Sequence, residues 1–354
     1  MQPSPIVSVI IAAFNAQRWI NLSIESAQSQ TLREIEIIVV DDGSTDDTAE
    51  MVMRIAKDDP RIHLIQQPNA GVGAARNAGI RSARGKFVAP LDADDLWQPE
   101  KLARQVQRME ERGEETALIY CWHQWLDEDG VALGWESPFR VEGMARSAII
   151  LRNFIGNASV PLFRSDAVHQ AGLYLTRDEQ GGAQGCEDWD LSIRIAERWE
   201  IGLVDDVLVG YRQTHACMSS QAPSMAQSFQ MVMVRARLRN VDLPLALFRW
   251  AEGHFQSYLV SKSYGSCDYP SCIVAASRAI LSDPVLILNR SLHQLTLKSL
   301  IWLATGKRRS APRRPNSDDA KKAPARSPRS STSLLDQIQN RRWASVLGSE
   351  CLPH

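Results

Sequence analysis

The stretch "KFVAPLDADDLW" (86–97) joins an apolar run to three closely spaced aspartates. The run 86–92 predicts a strand that is buried on both faces, as in a parallel sheet. Asp92, Asp94 and Asp95 follow at its carboxyl end, where like charges repel one another unless a positive group compensates them. A turn followed by a helix cap accounts for this cluster, and so does a divalent metal site built from carboxylate oxygens.

Strand-like and helix-like segments alternate on the amino-terminal side of this stretch. Apolar, β-rich runs predict three further strands, at 6–14, 34–40 and 61–67. Helices are predicted between the strands, and Asn15 is positioned to cap the first of them. This order predicts an α/β fold with a mostly parallel central sheet flanked by helices, in which ligands bind at the carboxyl ends of the strands.

The remaining residues add strands and helices before a change in composition. Strands are predicted at 116–126, 158–164 and 201–212, an amphipathic helix at 188–199, and mostly helical structure over 225–305. From Lys307 to Arg329 the chain has nine Lys or Arg against two Asp, in a Pro- and Ser-rich context. Such a segment is typical of a disordered linker, and a short helix or tail is predicted after it.

Composition limits the function classes and the location. The formal net charge of −1 gives no argument for nucleic acid as a partner, and six scattered cysteines without metal-type spacing favour a reducing compartment. No signal peptide or bilayer-spanning run is predicted. We therefore expect a cytoplasmic protein. Its basic segment is either a solvated linker or a peripheral contact with anionic lipid at the inner membrane face.

Three other polar stretches carry candidate chemistry, and each has a structural alternative. In "VVDDGSTDDT" (39–48), Asp41 and Asp42 form a turn and cap, or they accept hydrogen bonds from a nucleotide. The stretch "PNAGVGAARNAG" (68–79) lacks GxGxxG and GK[ST], which excludes a Rossmann or P-loop interpretation. Its Arg76 is either a solvated charge or a partner for a diphosphate.

The third stretch, "GCEDWDL" (185–191), places two acids at the start of the amphipathic helix. Glu187 and Asp188 would favour the helix dipole in its first turn, or one of them would serve as a general base at the mouth of a pocket. Gly181, Gly182 and Gly185 precede them and would let the loop move.

The order and spacing of these segments are more informative than any one of them. "VSVIIAAFNAQRWI", "VVDDGSTDDT", "NAGVGAARNAG", "PLDADDLW" and "CEDWDLSIRIA" occur in sequence, and together they resemble the family 2 glycosyltransferases, the inverting group with the GT-A fold. The resemblance covers roughly 5–220. It implies a GT-A nucleotide-binding domain at 1–220 and says nothing firm about 221–354. For that part, patterning and composition predict a helical extension at 221–305, a disordered basic linker at 306–333 and a short helix or tail at 334–354.

The resemblance also implies roles for individual residues on the nucleotide side. Either Asp41 or Asp42 corresponds to the carboxylate that binds the base. The other implied nucleotide-binding residues follow the first strand, lie in the glycine-rich helix or end the fourth strand: Ala12, Phe14, Asn15, Arg76 and Asp92.

Metal and acceptor roles come from the same resemblance. Asp94 matches the carboxylate that binds Mn²⁺ or Mg²⁺, whereas the role of Asp95 stays open between support for that site and helix capping. His215 in "YRQTHACMSS" lies one position later than the family's metal-binding histidine, so it is either a ligand or structural. Asp188 matches the catalytic base, with Glu187 on the acceptor side.

The function implied is transfer of a sugar from a nucleotide-sugar donor, with a UDP-sugar favoured, to a hydroxyl of a glycan or lipid-linked acceptor. We expect this reaction to act in cell-surface polysaccharide assembly. Two alternatives stay open: a metal-dependent nucleotidyltransferase, and a catalytically inactive protein that binds nucleotide or glycan. The nucleotidyltransferase would release pyrophosphate, and the inactive protein would bind donors without turnover.

Overall fold

The computed structural model describes residues 4–134, 139–214, 222–306 and 334–347, and these residues form two compact units. The first unit contains 4–134, 139–145 and 154–214. The second unit contains 146–153, 222–306 and 334–347.

The first unit is built on one curled, mixed sheet. Its strands are β1 (Val7–Ala13), β2 (Ile35–Asp41), β3 (Ile62–Gln66), β4 (Phe87–Asp92), β5 (Leu96–Trp97), β6 (Thr116–Leu126), β7 (Ala132–Gly134), β8 (Leu162–Arg164) and β9 (Glu200–Arg212). They lie in the order β3-β2-β1-β4-β8-β6-β9-β5, with β7 beside β6. The strands β3, β2, β1 and β4 are parallel, and β6 is parallel to β9. Because β8 is antiparallel to both β4 and β6, the carboxyl ends of β4, β6 and β9 point to the same edge.

Helices of the first unit connect and cover these strands. They are α1 (Ile20–Gln28), α2 (Thr48–Asp58), α3 (Val72–Ser82), α4 (Lys101–Arg112), α6 (Ser165–Ala171) and α7 (Glu187–Ala196). Every residue of β2 is buried, as is nearly every residue of β1. The α/β fold with a central, mostly parallel sheet flanked by helices is therefore confirmed.

The register of the central strands gathers polar residues at one edge. Ala13 of β1 pairs with Asp41 of β2, and Ala12 of β1 pairs with Asp92 of β4. The backbone N–H of Asp42 also donates to the carbonyl of Ala13 at 2.8 Å. Asp41 of β2 and Asp92 of β4 therefore lie on either side of β1, at the same edge of the sheet.

Two local predictions differ from the structure. Asn15 does not cap a helix, because α1 begins at Ile20 and Asn15 adopts a left-handed conformation with φ of 49°. Its Oδ1 instead accepts a hydrogen bond from the backbone N–H of Thr45 at 2.8 Å, which ties the loops after β1 and β2 together. The strand expected at 158–164 is shorter, because β8 begins only at Leu162. Before it, the backbone N–H of Ser159 donates to Asn157 Oδ1 at 3.0 Å in a turn.

The second unit is helical. It comprises α5 (Arg146–Leu151), α8 (Ala222–Arg239), α9 (Leu245–Gly265), α10 (Tyr269–Ser282), a 3₁₀ helix (Pro284–Leu288), α11 (Arg290–Thr305) and α12 (Leu334–Leu347). The rings of Phe229 and Phe255 stack at 4.0 Å between α8 and α9. Arg342 of α12 donates to both carboxylate oxygens of Asp283 at 2.8 Å. From residue 307 on, the expected linker lies outside the described residues. Within the described ranges, no helix is both long enough and apolar enough to cross a bilayer.

Candidate active site

The two aspartates at the carboxyl end of β2 have different surroundings. Asp42 accepts hydrogen bonds from the backbone N–H of Ala70 at 2.9 Å and of Gly71 at 2.8 Å, and from the Gln67 side chain at 2.7 Å. Asp41 accepts a longer bond, from the N–H of Ser44 at 3.2 Å. Asp42 therefore fixes the glycine-rich loop that leads into α3.

The start of α3 is packed against the chain segment that precedes α7. A Cβ on Gly73 would lie 2.2 Å from the carbonyl oxygen of Leu175, so only glycine allows this approach. Asn77 donates to the carbonyl of Tyr174 and accepts from its N–H, both at 2.8 Å. These contacts hold α3 beside the chain segment that precedes α7, the helix that begins with Glu187 and Asp188.

Arg76 joins two acidic segments that are far apart in sequence. Its guanidinium donates to Asp92 Oδ1 at 2.5 Å and to Glu187 Oε1 at 2.8 Å. The residue is only 2% exposed, and its group lies over the Tyr174 ring at 5.3 Å. Burial by itself would lower the pKa of Arg76, but the charges of Asp92 and Glu187 outweigh it and raise that pKa. Arg76 is thus a permanent cation that fixes the end of β4 to the start of α7.

Asp188 lies next to this ion pair but does not belong to it. Glu187 is held by Arg76 and by the N–H of Gly185 at 2.9 Å, whereas the Asp188 carboxylate accepts the N–H of Trp189 at 2.7 Å. Burial and the nearby charge of Glu187 raise the pKa of Asp188 to about 7, against a smaller lowering by Arg76. A carboxylate of that pKa is suited to accept a proton near neutral pH.

The turn after β4 separates the roles of its aspartates. Asp95 is fully buried, and its carboxylate accepts hydrogen bonds from Ser159 Oγ at 2.6 Å and from the backbone N–H of Arg212 at 2.9 Å. Ser159 Oγ also accepts from the N–H of Asp92 at 3.0 Å. Burial first, and then the charges of Asp94 and Asp92, raise the pKa of Asp95. Asp95 therefore anchors the turn from inside the protein.

The buried Arg212 side chain completes that anchor. Its Nε donates to the carbonyl of Asp94 at 2.7 Å, and Nη1 donates to the carbonyls of Asp127 and Glu128 at 3.1 and 2.9 Å. Sequence reasoning missed Arg212 and Ser159. Arg212 lies in the stretch "YRQTHACMSS", which carries no sign of its long-range partners, and Ser159 gives no signal in the sequence.

Asp94 is the aspartate of this turn that remains available for a ligand. No other described residue donates a hydrogen bond to its carboxylate, and burial together with the Asp92 charge raises its pKa to about 6. Such a carboxylate suits a divalent cation that takes its remaining ligands from a substrate diphosphate. Among the residues described, no group of three or more His, Cys, Asp or Glu forms a complete metal cluster. His215 lies outside the described residues.

The loop after β1 carries an exposed aromatic side chain. Phe14 is 51% exposed, and Ala12 is partly exposed beside it. The backbone N–H of Asn15 donates to Ser44 Oγ at 2.9 Å, which fixes this loop to the one after Asp42. An exposed aromatic ring can stack on a planar base.

Comparisons with known proteins find similarity to glycosyltransferases. Residues 8–150 match the family model described as Glycosyl transferase family 2. The putative glycosyltransferase EpsH of Bacillus subtilis (strain 168) is 41% identical over 118 residues, which are 33% of this chain and 33% of that protein. Chondroitin synthase of Escherichia coli is 32% identical over 152 residues, or 42% of this chain and 22% of that protein. This chain thus covers a third or less of the length of these two relatives.

Solved structures with the same fold match most of the chain. S. aureus TarS 1–349 in complex with UDP has a TM-score of 0.58 at 18% identity, covering 86% of this chain and 93% of that one. The mannosyltransferase PcManGT from Pyrobaculum calidifontis, in complex with GDP-Man and Mn²⁺, has a TM-score of 0.56 at 19% identity, covering 86% of both chains. Residues 8–150 are thus similar to the family 2 glycosyltransferases, and the shared architecture shows the GT-A fold.

Proposed function

We propose that the protein is an inverting glycosyltransferase. It moves a sugar from a nucleotide-sugar donor, with a UDP-sugar favoured, to a hydroxyl of a glycan or lipid-linked acceptor. The observation that carries the proposal is the arrangement at Arg76, which holds Asp92 and Glu187 together beside Asp188. The chondroitin synthase relative supports a role in cell-surface polysaccharide assembly, and the UDP complex of TarS supports the choice of nucleotide.

The donor binds at the carboxyl edge of β1, β2 and β4. Phe14 stacks on the base, Ala12 and Asn15 line its pocket, and either Asp41 or Asp42, at the carboxyl end of β2, accepts hydrogen bonds from the base. Asp92 contacts the ribose, and the charge of Arg76 faces the nucleotide side of the site. The tight hydrogen bonding of Asp42 to the glycine-rich loop makes this end of the pocket rigid before the donor arrives.

Asp188 starts the reaction as the general base. Its carboxylate takes the proton of the acceptor hydroxyl, and the oxygen attacks the anomeric carbon from the face opposite the diphosphate. The bond from that carbon to the diphosphate oxygen breaks, and the electron pair leaves with the nucleoside diphosphate. One displacement inverts the configuration and needs no protein nucleophile. Glu187, fixed by Arg76, shapes the acceptor side.

The proposed cofactor is Mn²⁺ or Mg²⁺. Asp94 would hold it, with His215 as a further ligand from the segment outside the described residues. When bound, such an ion neutralises charge on the diphosphate leaving group. The complex of PcManGT with Mn²⁺ supports this part of the proposal.

A donor panel tests the proposal. The full chain is incubated with UDP-, GDP- and dTDP-sugars and Mn²⁺ or Mg²⁺, and the released nucleotide and sugar configuration are identified. Nucleoside diphosphate with an inverted product is expected. Pyrophosphate would identify a nucleotidyltransferase, and binding of donors without turnover across the panel would identify an inactive binding protein.

The base is tested in the same assay. Asp188→Asn is expected to lower kcat by roughly 10²- to 10⁴-fold while donor binding persists, because the amide cannot take the proton. Asp178→Asn, on the exposed loop ahead of α7, is the matched control and should keep full activity. Full activity of the Asp188 variant would remove Asp188 from the mechanism.

The proposal also assigns a location. The enzyme acts in the cytoplasm, at the inner membrane face, where a lipid-linked acceptor is within reach.

A further inference from the structure

The helix α11 and the 3₁₀ helix before it present large apolar side chains to solvent. Six of them are between 42% and 58% exposed: Ile287, Leu288, Leu297, Leu300, Ile301 and Leu303. The buried residues of α11 are Leu292 and Ser299, on a different face. A surface helix normally turns polar residues outward, and a large exposed apolar patch marks an interaction site.

Leu297, Leu300 and Ile301 share one face of α11. Leu297 lies three residues before Leu300 and four before Ile301, which places the three side chains next to one another on the helix. Arg290 lies two turns before Leu297 on the same face, and Lys298 lies on its flank. Both cations are exposed. When the apolar face is covered by a partner, their long side chains can extend along it and keep the charged groups in a polar environment.

The charged residues within this segment have a single sign. The segment 284–306 contains Arg290 and Lys298 and has no Asp or Glu. The sequence stays free of acidic residues until Asp318, and Lys307, Arg308 and Arg309 come directly after the helix. A second copy of the chain would bring these positive charges against one another. An anionic surface attracts these positive charges. The apolar face in addition favours a surface with a hydrophobic layer below its charged groups, as in a lipid membrane.

We propose that α11 and the preceding 3₁₀ helix form a docking surface for anionic lipid membranes. The helix lies in the plane of the membrane, with Leu297, Leu300 and Ile301 among the acyl chains and Arg290 and Lys298 at the headgroups. With sixteen residues and two charges, α11 is suited to lie in the interface rather than to span the bilayer. This inference gives the membrane contact of the proposed function a surface, and it rests on the exposed helix face rather than on transfer chemistry.

Vesicle flotation of the full chain tests the surface. Vesicles of phosphatidylcholine with phosphatidylglycerol are expected to carry the protein, and vesicles of phosphatidylcholine alone much less of it. The triple variant L297Q/L300Q/I301Q should reduce partitioning at least about tenfold, because three large apolar groups no longer enter the membrane. The variant R290Q/K298Q should weaken binding to anionic vesicles and reduce its sensitivity to salt.

A matched control separates this surface from general loss of hydrophobicity. L238Q/V241Q/L245Q removes three apolar side chains of the same helical unit that are 55% to 84% exposed, and its partitioning should be unchanged. Circular dichroism and thermal unfolding of all variants check that they fold, since none of the substituted residues is buried.

Three outcomes would overturn the inference. These are absence of flotation by the wild-type chain, an equal loss in the control triple variant, and a change from dimer to monomer in L297Q/L300Q/I301Q without a change in vesicle binding. The last outcome would identify an interface between copies. Transfer to a water-soluble acceptor is measured in parallel, so that failure of docking is distinguished from failure of the proposed reaction.

Discussion

The backbone N–H of Arg212 donates to the Asp95 carboxylate at 2.9 Å, although the two residues are 117 positions apart. Through this bond the last residue of β9 holds the turn after β4. It also explains the three neighbouring aspartates: Asp95 is bonded inside the protein, Asp92 is paired with Arg76, and Asp94 is left for a ligand. Two of the three crowded carboxylates thus have partners within the protein, and the third does not.

The pH dependence of transfer should report Asp188. Because burial and Glu187 raise the pKa of Asp188 to about 7, the base is protonated below that pH, and kcat should fall about tenfold per pH unit. Glu187→Gln removes a negative neighbour, which should lower the pKa of Asp188 and move the acid limb to lower pH. Both profiles are measured at saturating donor. An acid limb that stays in place in the Glu187 variant would contradict the coupling.

Arg76 should be essential for both folding stability and transfer. Arg76→Gln leaves Asp92 and the buried Glu187 without their cation, and the free energy of unfolding should fall by roughly 3–5 kcal/mol, as when one partner of a buried pair is removed. Denaturant unfolding measures the change. Arg81→Gln, on the exposed side of the same helix, should change stability by less than about 0.5 kcal/mol. Comparable losses in both variants would show that the ion pair has no special role.

Ser159 should control the geometry of the turn that carries Asp94. Ser159→Ala removes a donor to Asp95 and an acceptor for the N–H of Asp92, and it should cost about 1–3 kcal/mol of stability. We also expect a higher Mn²⁺ concentration at half-maximal activity, with a smaller effect on acceptor KM. Titration calorimetry with Mn²⁺ and donor nucleotide measures the binding directly. Ser82→Ala at an exposed position is the control.

Gly73 should tolerate no side chain. Gly73→Ala places a Cβ against the carbonyl of Leu175, a backbone atom that cannot rotate away, and overpacking of this kind costs about 1–3 kcal/mol. Gly265→Ala, where a Cβ meets nothing within 4 Å, is the matched control. Thermal unfolding measures both. Unchanged stability of the Gly73 variant would mean that α3 can move away from the backbone at Leu175 at little cost, which would contradict the prediction.

Metal removal should stop transfer. EDTA is expected to abolish product formation, and added Mn²⁺ or Mg²⁺ should restore it, because the leaving diphosphate then regains its counter-charge. Asp94→Asn should weaken Mn²⁺ binding in the presence of nucleotide without unfolding the protein. Full activity in EDTA would remove the metal from the proposal.

The sequence alone determined the fold class and most of the candidate site residues. Alternating apolar runs and helical spacing depend on neighbours within a few positions, and these are visible in a linear chain. The carboxyl ends of parallel strands meet at one edge, so the acids after the predicted strands could be expected near one another. The positions of Asp41, Asp92 and Asp188 on their strands and helix followed from these local rules.

Only the tertiary structure decided which charges are paired. Arg76 contacts Asp92 and Glu187, and Arg212 contacts Asp95, across separations of 16, 111 and 117 residues. Such pairings depend on strand order and register, which local patterns do not encode. The outward face of α11 was likewise hidden, because its spacing shows which residues share a face but not which face is covered by the protein. Burial is set by packing of the whole unit, and packing exists only once the chain has folded.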